Sequence, residues 1–135
     1  MVFEPGTAPS SRPEFMAWYK QQTKWTEPHG YNDPGVTTAR LRAWYDDMNG
    51  EYPNLNGSGV IDFDSPRLTD YSIGRSVIYV AFRWPEAENA YRTVRRFAEK
   101  HRVGFFDVSA DEGEIWQPPA GGSSMRGLWR RVFGR

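Results

Sequence analysis

The sequence predicts one α+β domain, and three observations support this prediction. The 135 residues suffice for a single hydrophobic core. Aromatic residues make up 16% of the chain, and because each buries a large area they offset a hydrophobic content of only 39%. Segments with helical spacing and segments with strand-like runs follow one another along the chain, which is typical of a sheet packed with helices.

The first predicted elements are a short strand and a helix. Val2 and Phe3 make a very short run, so either the strand is a stub or this start clips a longer one. Ser11 and Glu14 have the spacing of a capping box, in which the hydroxyl accepts the Glu14 amide and the carboxylate reaches back. The apolar positions of the helix that follows are Phe15, Trp18 and Tyr19.

A second helix is predicted before the middle of the chain. Thr37 or Thr38 can cap its start, and Asn49-Gly50 is suited to end it. Its apolar positions have helical spacing and are Leu41, Trp44, Tyr45 and Met48. Residues 53–66 are rich in Asn, Gly, Ser and Asp, which predicts a long loop.

The clearest strand signal is a hairpin. Residues 71–73 and 77–82 are strand-like runs, and Gly74-Arg75 between them suits a tight II′ turn. The second run is almost entirely apolar. We therefore expect it to be a central strand that is covered on both faces.

A third helix and two further strands are predicted after the hairpin. Pro85 suits the first turn of the helix, and Glu88 and Arg92 are placed to pair on its outer surface. Its apolar stripe consists of Ala87, Ala90, Tyr91, Val94, Phe97, Ala98 and His101. Residues 103–108 then predict a strand, and Ile115-Trp116 predicts a short edge strand.

The order of these elements predicts a ferredoxin-like, split βαβ arrangement. In this arrangement an antiparallel-rich sheet has helices packed on one face and leaves its other face open. We place the domain at residues 1–117. A Pro/Gly/Ser linker is predicted over 118–124, and a basic amphipathic tail over 125–135.

The sequence predicts no catalytic residue, no metal ligand and no cofactor. It contains no cysteine, which excludes disulfides, Cys-ligated zinc and thiol catalysis. His101 is expected to belong to the stripe of the third helix. His29 lies in a polar loop beside Glu27 and Asp33, where acid–base chemistry or metal binding is conceivable, but the two histidines lack the spacing of a metal site.

Two acidic loops form the candidate partner-binding surface. Asp62 and Asp64 alternate around Phe63, so we expect both carboxylates to project from one face of an extended segment. Solvated loop acids, a patch that binds a partner and a metal site are the three interpretations of these loops. The predicted contact residues are Asp62, Asp64, Asp111, Glu112, Glu114 and, as an apolar anchor, Trp116.

Charge is distributed unevenly along the chain. Residues 125–135 hold four arginines and no acid, so the remaining chain has 13 basic against 17 acidic residues. An acidic body argues against nucleic-acid binding on the domain. The tail could pack on its own domain, stay disordered, enter a partner's groove or contact a membrane. Its predicted contact residues are Arg126, Trp129, Arg130, Arg131 and Phe133.

Four segments carry a resemblance to a known group of proteins. They are Phe15-Met16-Ala17-Trp18-Tyr19, Thr69-Asp70-Tyr71-Ser72-Ile73-Gly74, Val77-Ile78-Tyr79 and Val103-Gly104-Phe105-Phe106-Asp107-Val108. Over residues 1–117 the chain resembles small bacterial proteins of the toxin-immunity type. The resemblance implies a strand–helix–helix–hairpin–helix–strand order with a longer first strand, and inhibition of a toxin by direct contact. It implies no catalytic residue.

We therefore expect a non-enzymatic, cytoplasmic protein-binding module, of the immunity type, whose partner is a basic toxin domain. The sequence has neither a membrane span nor a signal-peptide core. Two alternatives stay open. One is a small enzyme or ligand-binding domain that uses the open sheet face, lined by Tyr71, Tyr79 and Phe105. The other is a membrane-peripheral adaptor that acts through the basic tail.

Overall fold

The computed structural model describes residues 1–57, 59 and 62–119, which contain three α-helices and five strands. The helices are α1 (Arg12–Gln22), α2 (Ala39–Glu51) and α3 (Ala87–His101). The strands are β1 (Val2–Phe3), β2 (Thr69–Ile73), β3 (Val77–Phe82), β4 (Gly104–Phe106) and β5 (Ile115–Trp116). No helix in this described part of the chain has the length and apolar character needed to cross a bilayer.

The five strands form one antiparallel sheet in the order β2-β3-β1-β4-β5. The short β1 lies at its centre, where Val2 is opposite Ile78 of β3 and Phe105 of β4. The α+β class and the antiparallel sheet are confirmed. The ferredoxin-like assignment stays a prediction, because α1 packs on the second face of the sheet, which that arrangement leaves open.

The helices cover both faces of the sheet, which corrects the prediction that they pack on one face. On the α2–α3 face, Trp44 and Val94 pack with Val2 in the larger core. On the α1 face, Phe15 packs with Phe3 in a second core. Successive side chains of a strand point to opposite faces, so adjacent residues of β1 serve different cores.

Local sequence signals determine where α1 and α2 begin. The Ser11 hydroxyl accepts the Glu14 N–H at 3.3 Å and donates to the Glu14 carboxylate at 2.9 Å, as the capping box predicted. Thr38 caps α2 by accepting the Leu41 N–H at 3.4 Å. The predicted end of α2 at Asn49-Gly50 is wrong, because the helix continues to the next residue.

The β2–β3 turn differs from the predicted Gly74-Arg75 turn. The Gly74 N–H donates to the Val77 carbonyl at 2.8 Å, so the two-residue loop is Arg75-Ser76. Three groups from outside the hairpin bond this loop: the Glu27 carboxylate, the Thr37 hydroxyl and the Glu4 N–H, at 3.0, 3.2 and 2.9 Å. Tertiary contacts therefore set this turn, and Gly74 has no left-handed φ.

The outer surface of α3 also differs from the prediction in one ion pair. Arg92 donates to the Asn89 side chain at 2.9 Å and forms no pair with Glu88 in the described structure. The pair with i,i+4 spacing is Arg95–Glu99. The predicted apolar stripe is otherwise buried along most of its length, and this stripe holds α3 on the sheet.

Candidate partner-binding surface

One end of the sheet brings the two acidic loops together. β3 and β4 both run antiparallel to β1, so their C-terminal ends lie at the same end of the sheet. β2 begins opposite the last residue of β3, which places the preceding loop there too. Arg83 fixes that loop by donating to the carbonyls of Phe63 and Ser65 at 3.0 and 2.9 Å. Residues 62–68 and 107–114 therefore flank what we call the groove end.

A groove of about 380 Å³ opens between β3 and β4 at the groove end. It lies where β3 runs on to Phe82 past the residues that pair with β1. Tyr91 and Val94 of α3 contribute to its floor, and Val80 and Phe105 to its walls. We call this cavity the β3–β4 groove.

Three large apolar side chains are exposed at the groove end. Trp84, in the 3-10 turn that precedes α3, is 90% exposed and lines the groove. Tyr91 is 39% exposed on the groove floor, and Phe63 is 65% exposed in the 62–68 loop. Among the residues that the structure describes, these are the exposed large hydrophobic side chains. Their concentration at one end is typical of an interaction surface.

Asp62 and Asp64 are both exposed at the groove end. The Asp62 Oδ1 atom accepts the Asp64 N–H at 3.0 Å, and the Asp62 carbonyl accepts the Ser65 N–H at 3.4 Å. This segment is therefore a turn. The prediction that the two carboxylates project from one face of an extended segment is wrong, although both remain available to a partner.

The three acids after β4 that were predicted as contact residues differ in their surroundings. Asp111 and Glu112 are exposed. Glu114 accepts the Tyr91 hydroxyl at 2.9 Å and lies 3.3 Å from an Nη atom of Arg95. Burial and the hydrogen bond to Glu114 raise the pKa of Tyr91. Glu114 is thus bound to α3 within the fold, and its carboxylate would have to leave Tyr91 and Arg95 to contact a partner fully.

Trp116 is half-buried rather than an exposed anchor. Its ring packs against the larger core, and the Arg95 guanidinium lies 4.5 Å from the ring centroid. Both neighbours reduce the area that a partner could contact. The predicted apolar anchor is therefore mainly a packing residue of the β5 edge.

The predicted tail contacts lie outside the described residues. They are Arg126, Trp129, Arg130, Arg131 and Phe133.

Both histidines are bound within the fold. The Nδ1 atom of His29 lies 2.7 Å from the Gly30 carbonyl, and Nε2 contacts the Glu27 carboxylate. The Nε2 atom of His101 lies 2.6 Å from the Asp47 carboxylate. In the described ranges, no group of three or more His, Asp or Glu side chains is placed to hold a metal ion.

The predicted ligand site on an open sheet face, lined by Tyr71, Tyr79 and Phe105, is wrong in its choice of residues. Tyr71 and Phe105 are buried on the α2–α3 face, whereas Tyr79 lies on the α1 face, so the three side chains cannot line one site. α1 leaves part of its own face uncovered over β2 and β3, where a pocket of about 330 Å³ opens. Its lining includes Thr23, Asp70, Ser72 and Tyr79.

Trp84 is the candidate contact residue that sequence reasoning missed. It stands three residues before Ala87, so it resembles a continuation of the α3 stripe. The turn over Trp84–Glu86 is a 3-10 helix, which winds more tightly than an α-helix and moves Trp84 off the buried stripe. The sequence signal that could have indicated an exposed Trp84 is its position between Arg83 and Pro85, directly after a predicted strand.

The chain matches no protein-family model, no curated protein and no solved structure. The groove end therefore supplies the structural argument for function.

Proposed function

We propose that this chain is a non-enzymatic protein-binding module of the immunity type, which neutralises a basic toxin domain by direct contact at the groove end. The observation that carries the proposal is Trp84, whose side chain is 90% exposed beside an apolar groove. Burying about 200 Å² of indole surface is worth about 5 kcal/mol before the costs of association. An exposed Trp in this position is suited to anchor a partner.

Charge supports a basic partner. Apart from Glu114, which is bound to α3, four exposed acids lie in the two loops that flank the groove: Asp62, Asp64, Asp111 and Glu112. Acidic groups around a binding site attract a positively charged partner and raise the rate of encounter. A nuclease toxin is such a partner, because its active site is built to receive phosphate.

The test is to purify the chain with the product of the adjacent gene and to measure binding kinetics for the wild type and Trp84→Ala. We expect Trp84→Ala to raise Kd by about 30-fold or more, mainly through faster dissociation, because truncating an aromatic hot spot costs about 2 kcal/mol or more. The free energy of unfolding should change little, since a solvated side chain has few packing contacts to lose.

Trp116→Ala is the matched control, because it makes the same truncation at an indole that packs against the core. It should lower the free energy of unfolding and have a smaller effect on dissociation. The proposal fails if the adjacent product does not bind the wild type. It also fails if Trp84→Ala dissociates as slowly as the wild type.

A second candidate function is small-ligand binding, which the polar pocket on the α1 face favours. Burial and the neighbouring Tyr79 hydroxyl raise the pKa of Tyr19, so the Tyr19 phenol is a neutral donor in the pocket that Asp70 and Ser72 also line. Such a lining suits a polyhydroxylated or cationic ligand. A thermal-shift screen with sugars and polyamines tests this function, and Ser72→Phe should abolish any stabilisation by filling the pocket.

A further inference from the structure

We propose that the pocket of about 330 Å³ on the α1 face binds the primary ammonium group of a small alkylamine. This inference rests on the second candidate function for the existence of a small ligand, and it adds the chemical class of that ligand. It follows from a carboxylate without an ion-pair partner, from a hydroxyl group set to accept a hydrogen bond and from an aromatic wall. We call this cavity the α1-face pocket.

The register of the β2–β3 pair brings the polar lining of the α1-face pocket together. Asp70 lies opposite Ala81, and Ser72 lies opposite Tyr79. Alternate residues of a strand share one face of a sheet, so these four side chains belong to the same face. Because Ala81 carries only a methyl group, the register leaves space beside Asp70 that the pocket occupies.

The Asp70 carboxylate brings a negative charge into the α1-face pocket. Within the described ranges it belongs to no ion pair. Its hydrogen-bond donor there is the side-chain amide of Asn56, which lies 3.5 Å from Oδ1 and leaves Oδ2 for a ligand. Carboxylates form their strongest hydrogen bonds with charged donors. Asp70 therefore favours a cation over a neutral or anionic ligand.

The Thr23 hydroxyl adds an acceptor to the α1-face pocket. It donates its proton to backbone carbonyls of α1, with the Tyr19 oxygen at 3.1 Å and the Lys20 oxygen at 3.3 Å. The lone pairs of the hydroxyl oxygen are then left for a ligand, and Thr23 lines the pocket. An ammonium group has three N–H donors and no acceptor, so it suits a lining of carboxylate and hydroxyl oxygens.

Trp25 gives the α1-face pocket an aromatic wall. Its φ of 54° lies in the left-handed region, which a bulky residue rarely adopts, so the surrounding contacts must hold it there. The indole packs in T-shaped contacts against Tyr31 and Tyr79, with ring centroids 5.0 and 6.3 Å away. In the described part of the chain, none of the cation–π contacts involves Trp25. The ring can therefore cover the alkyl stem of an amine and attract its charge.

The test titrates the ¹⁵N-labelled full chain with butylamine, whose amine is protonated at pH 7 as that of lysine is. We expect the NMR signals of the Asp70, Ser72 and Ala81 amides to shift with a Kd of about 1 mM, since so small a probe has little surface to bury. The matched probe is 1-butanol, which has the same alkyl chain and no charge. It should bind about tenfold more weakly or less, because it cannot form a charge-assisted hydrogen bond.

Two pairs of variants locate the charge and the space, at physiological ionic strength. Asp70→Asn keeps the size of the side chain and should raise the Kd for butylamine about tenfold, whereas Asp46→Asn removes an exposed charge on α2 and should not change it. Ala81→Leu should fill the pocket and abolish binding. Ala39→Leu makes the same substitution at the exposed first residue of α2, outside the pocket lining, and should leave binding intact. Circular dichroism reports whether each variant is folded.

The outcomes separate this inference from the second candidate function. Absence of amide shifts in tens of millimolar butylamine overturns the amine site, and so does a Kd that Asp70→Asn leaves unchanged. Tighter binding of tetramethylammonium than of butylamine assigns the pocket to quaternary cations and also overturns it. A sugar that binds the pocket while butylamine does not refutes the amine alone. If neither the sugars nor butylamine binds, the second candidate function fails as well.

Discussion

His29 links the polar loop after α1 to the β2–β3 turn through Glu27. The Glu27 carboxylate contacts His29 Nε2 and also accepts the Arg75 N–H at 3.0 Å. The Gly30 carbonyl accepts from Nδ1. An imidazole donates from both nitrogens only when it is protonated. The hydrogen bonds to Gly30 and to Glu27 therefore raise the pKa of His29.

This arrangement predicts a pH dependence of stability. Because the folded pKa of His29 is above the unfolded value of about 6.5, its contribution is fully present below about pH 6.5 and is lost as the pH rises through the folded pKa. His29→Gln keeps a donor toward Glu27 and does not titrate. The measurement is the urea midpoint of each protein between about pH 5 and pH 8.

The amount by which the urea midpoint of the wild type exceeds that of His29→Gln should shrink as the pH rises across that window. The difference in stability between the two proteins removes every contribution that they share, including that of His101. An advantage that stays constant, or that grows toward alkaline pH, would contradict the assignment of a protonated ring.

At the scale of elements, β1 and β4 approach so closely that only glycine fits at one position. A Cβ atom added to Gly104 would lie 2.3 Å from the Phe3 ring. This ring cannot move away, because it is fully buried and its centroid lies 5.2 Å from that of Phe15 and 5.6 Å from that of Trp18. The β1–β4 pair and the packing of α1 therefore depend on one another.

Gly104→Ala should lower the free energy of unfolding by about 1–3 kcal/mol, the usual cost of overpacking a core. Gly6→Ala is the matched control, since a Cβ at that exposed position meets nothing within 4 Å and should change stability by less than about 0.5 kcal/mol. Denaturant unfolding of both variants gives the comparison. Equal midpoints for Gly104→Ala and the wild type would show that the ring has room to move.

The elements themselves were predictable where their signals are local. The capping box of Ser11 and the apolar stripe of α3 each lie within one segment, and the structure contains both helices. The sheet face on which a helix packs is not a local property. Phe15 predicted a buried side for α1, but its partners Phe3 and Phe106 come from strands that lie far apart in the sequence.

The candidate site was predictable to the same extent. The sequence places the acids of both loops, yet the capture of Glu114 depends on Arg95 and Tyr91, which belong to a different element. The exposure of Trp84 depends on the 3-10 turn before α3, and the spacing of the apolar residues in α3 does not predict in which direction that turn points its side chains. The burial of a side chain and its ion pairs depend on tertiary contacts, whereas the residue composition of a loop is given directly by the sequence.

For the whole molecule, charge and apolar surface at the groove end have separable effects on binding. Exposed acids act while the partner approaches, so they change the association rate and are screened by salt. An aromatic anchor acts after contact, so it changes the dissociation rate. This division assigns Trp84 to the lifetime of the complex and the loop acids to its formation.

The corresponding prediction concerns a variant in which Asp62, Asp64, Asp111 and Glu112 are changed to their amides. Its association with the basic partner should be severalfold slower at low ionic strength, with little change in dissociation or in unfolding free energy. The difference should diminish at physiological ionic strength, where the Debye length is about 8 Å. Glu114 is left unchanged because its carboxylate is bound to Arg95 and Tyr91, so Glu114→Gln should act mainly on stability.

Stopped-flow association at two salt concentrations gives the measurement, and single substitutions give the matched control. Asp111→Asn removes one charge at the groove end, whereas Asp46→Asn removes one exposed charge on α2, outside the two acidic loops. Only the first should slow association, because steering depends on where the charge lies.

Deleting residues 125–135 removes four arginines and should leave association unchanged or slightly faster, since those charges repel a basic partner. Association that responds to neither salt nor the four amide substitutions would exclude acidic steering at this surface.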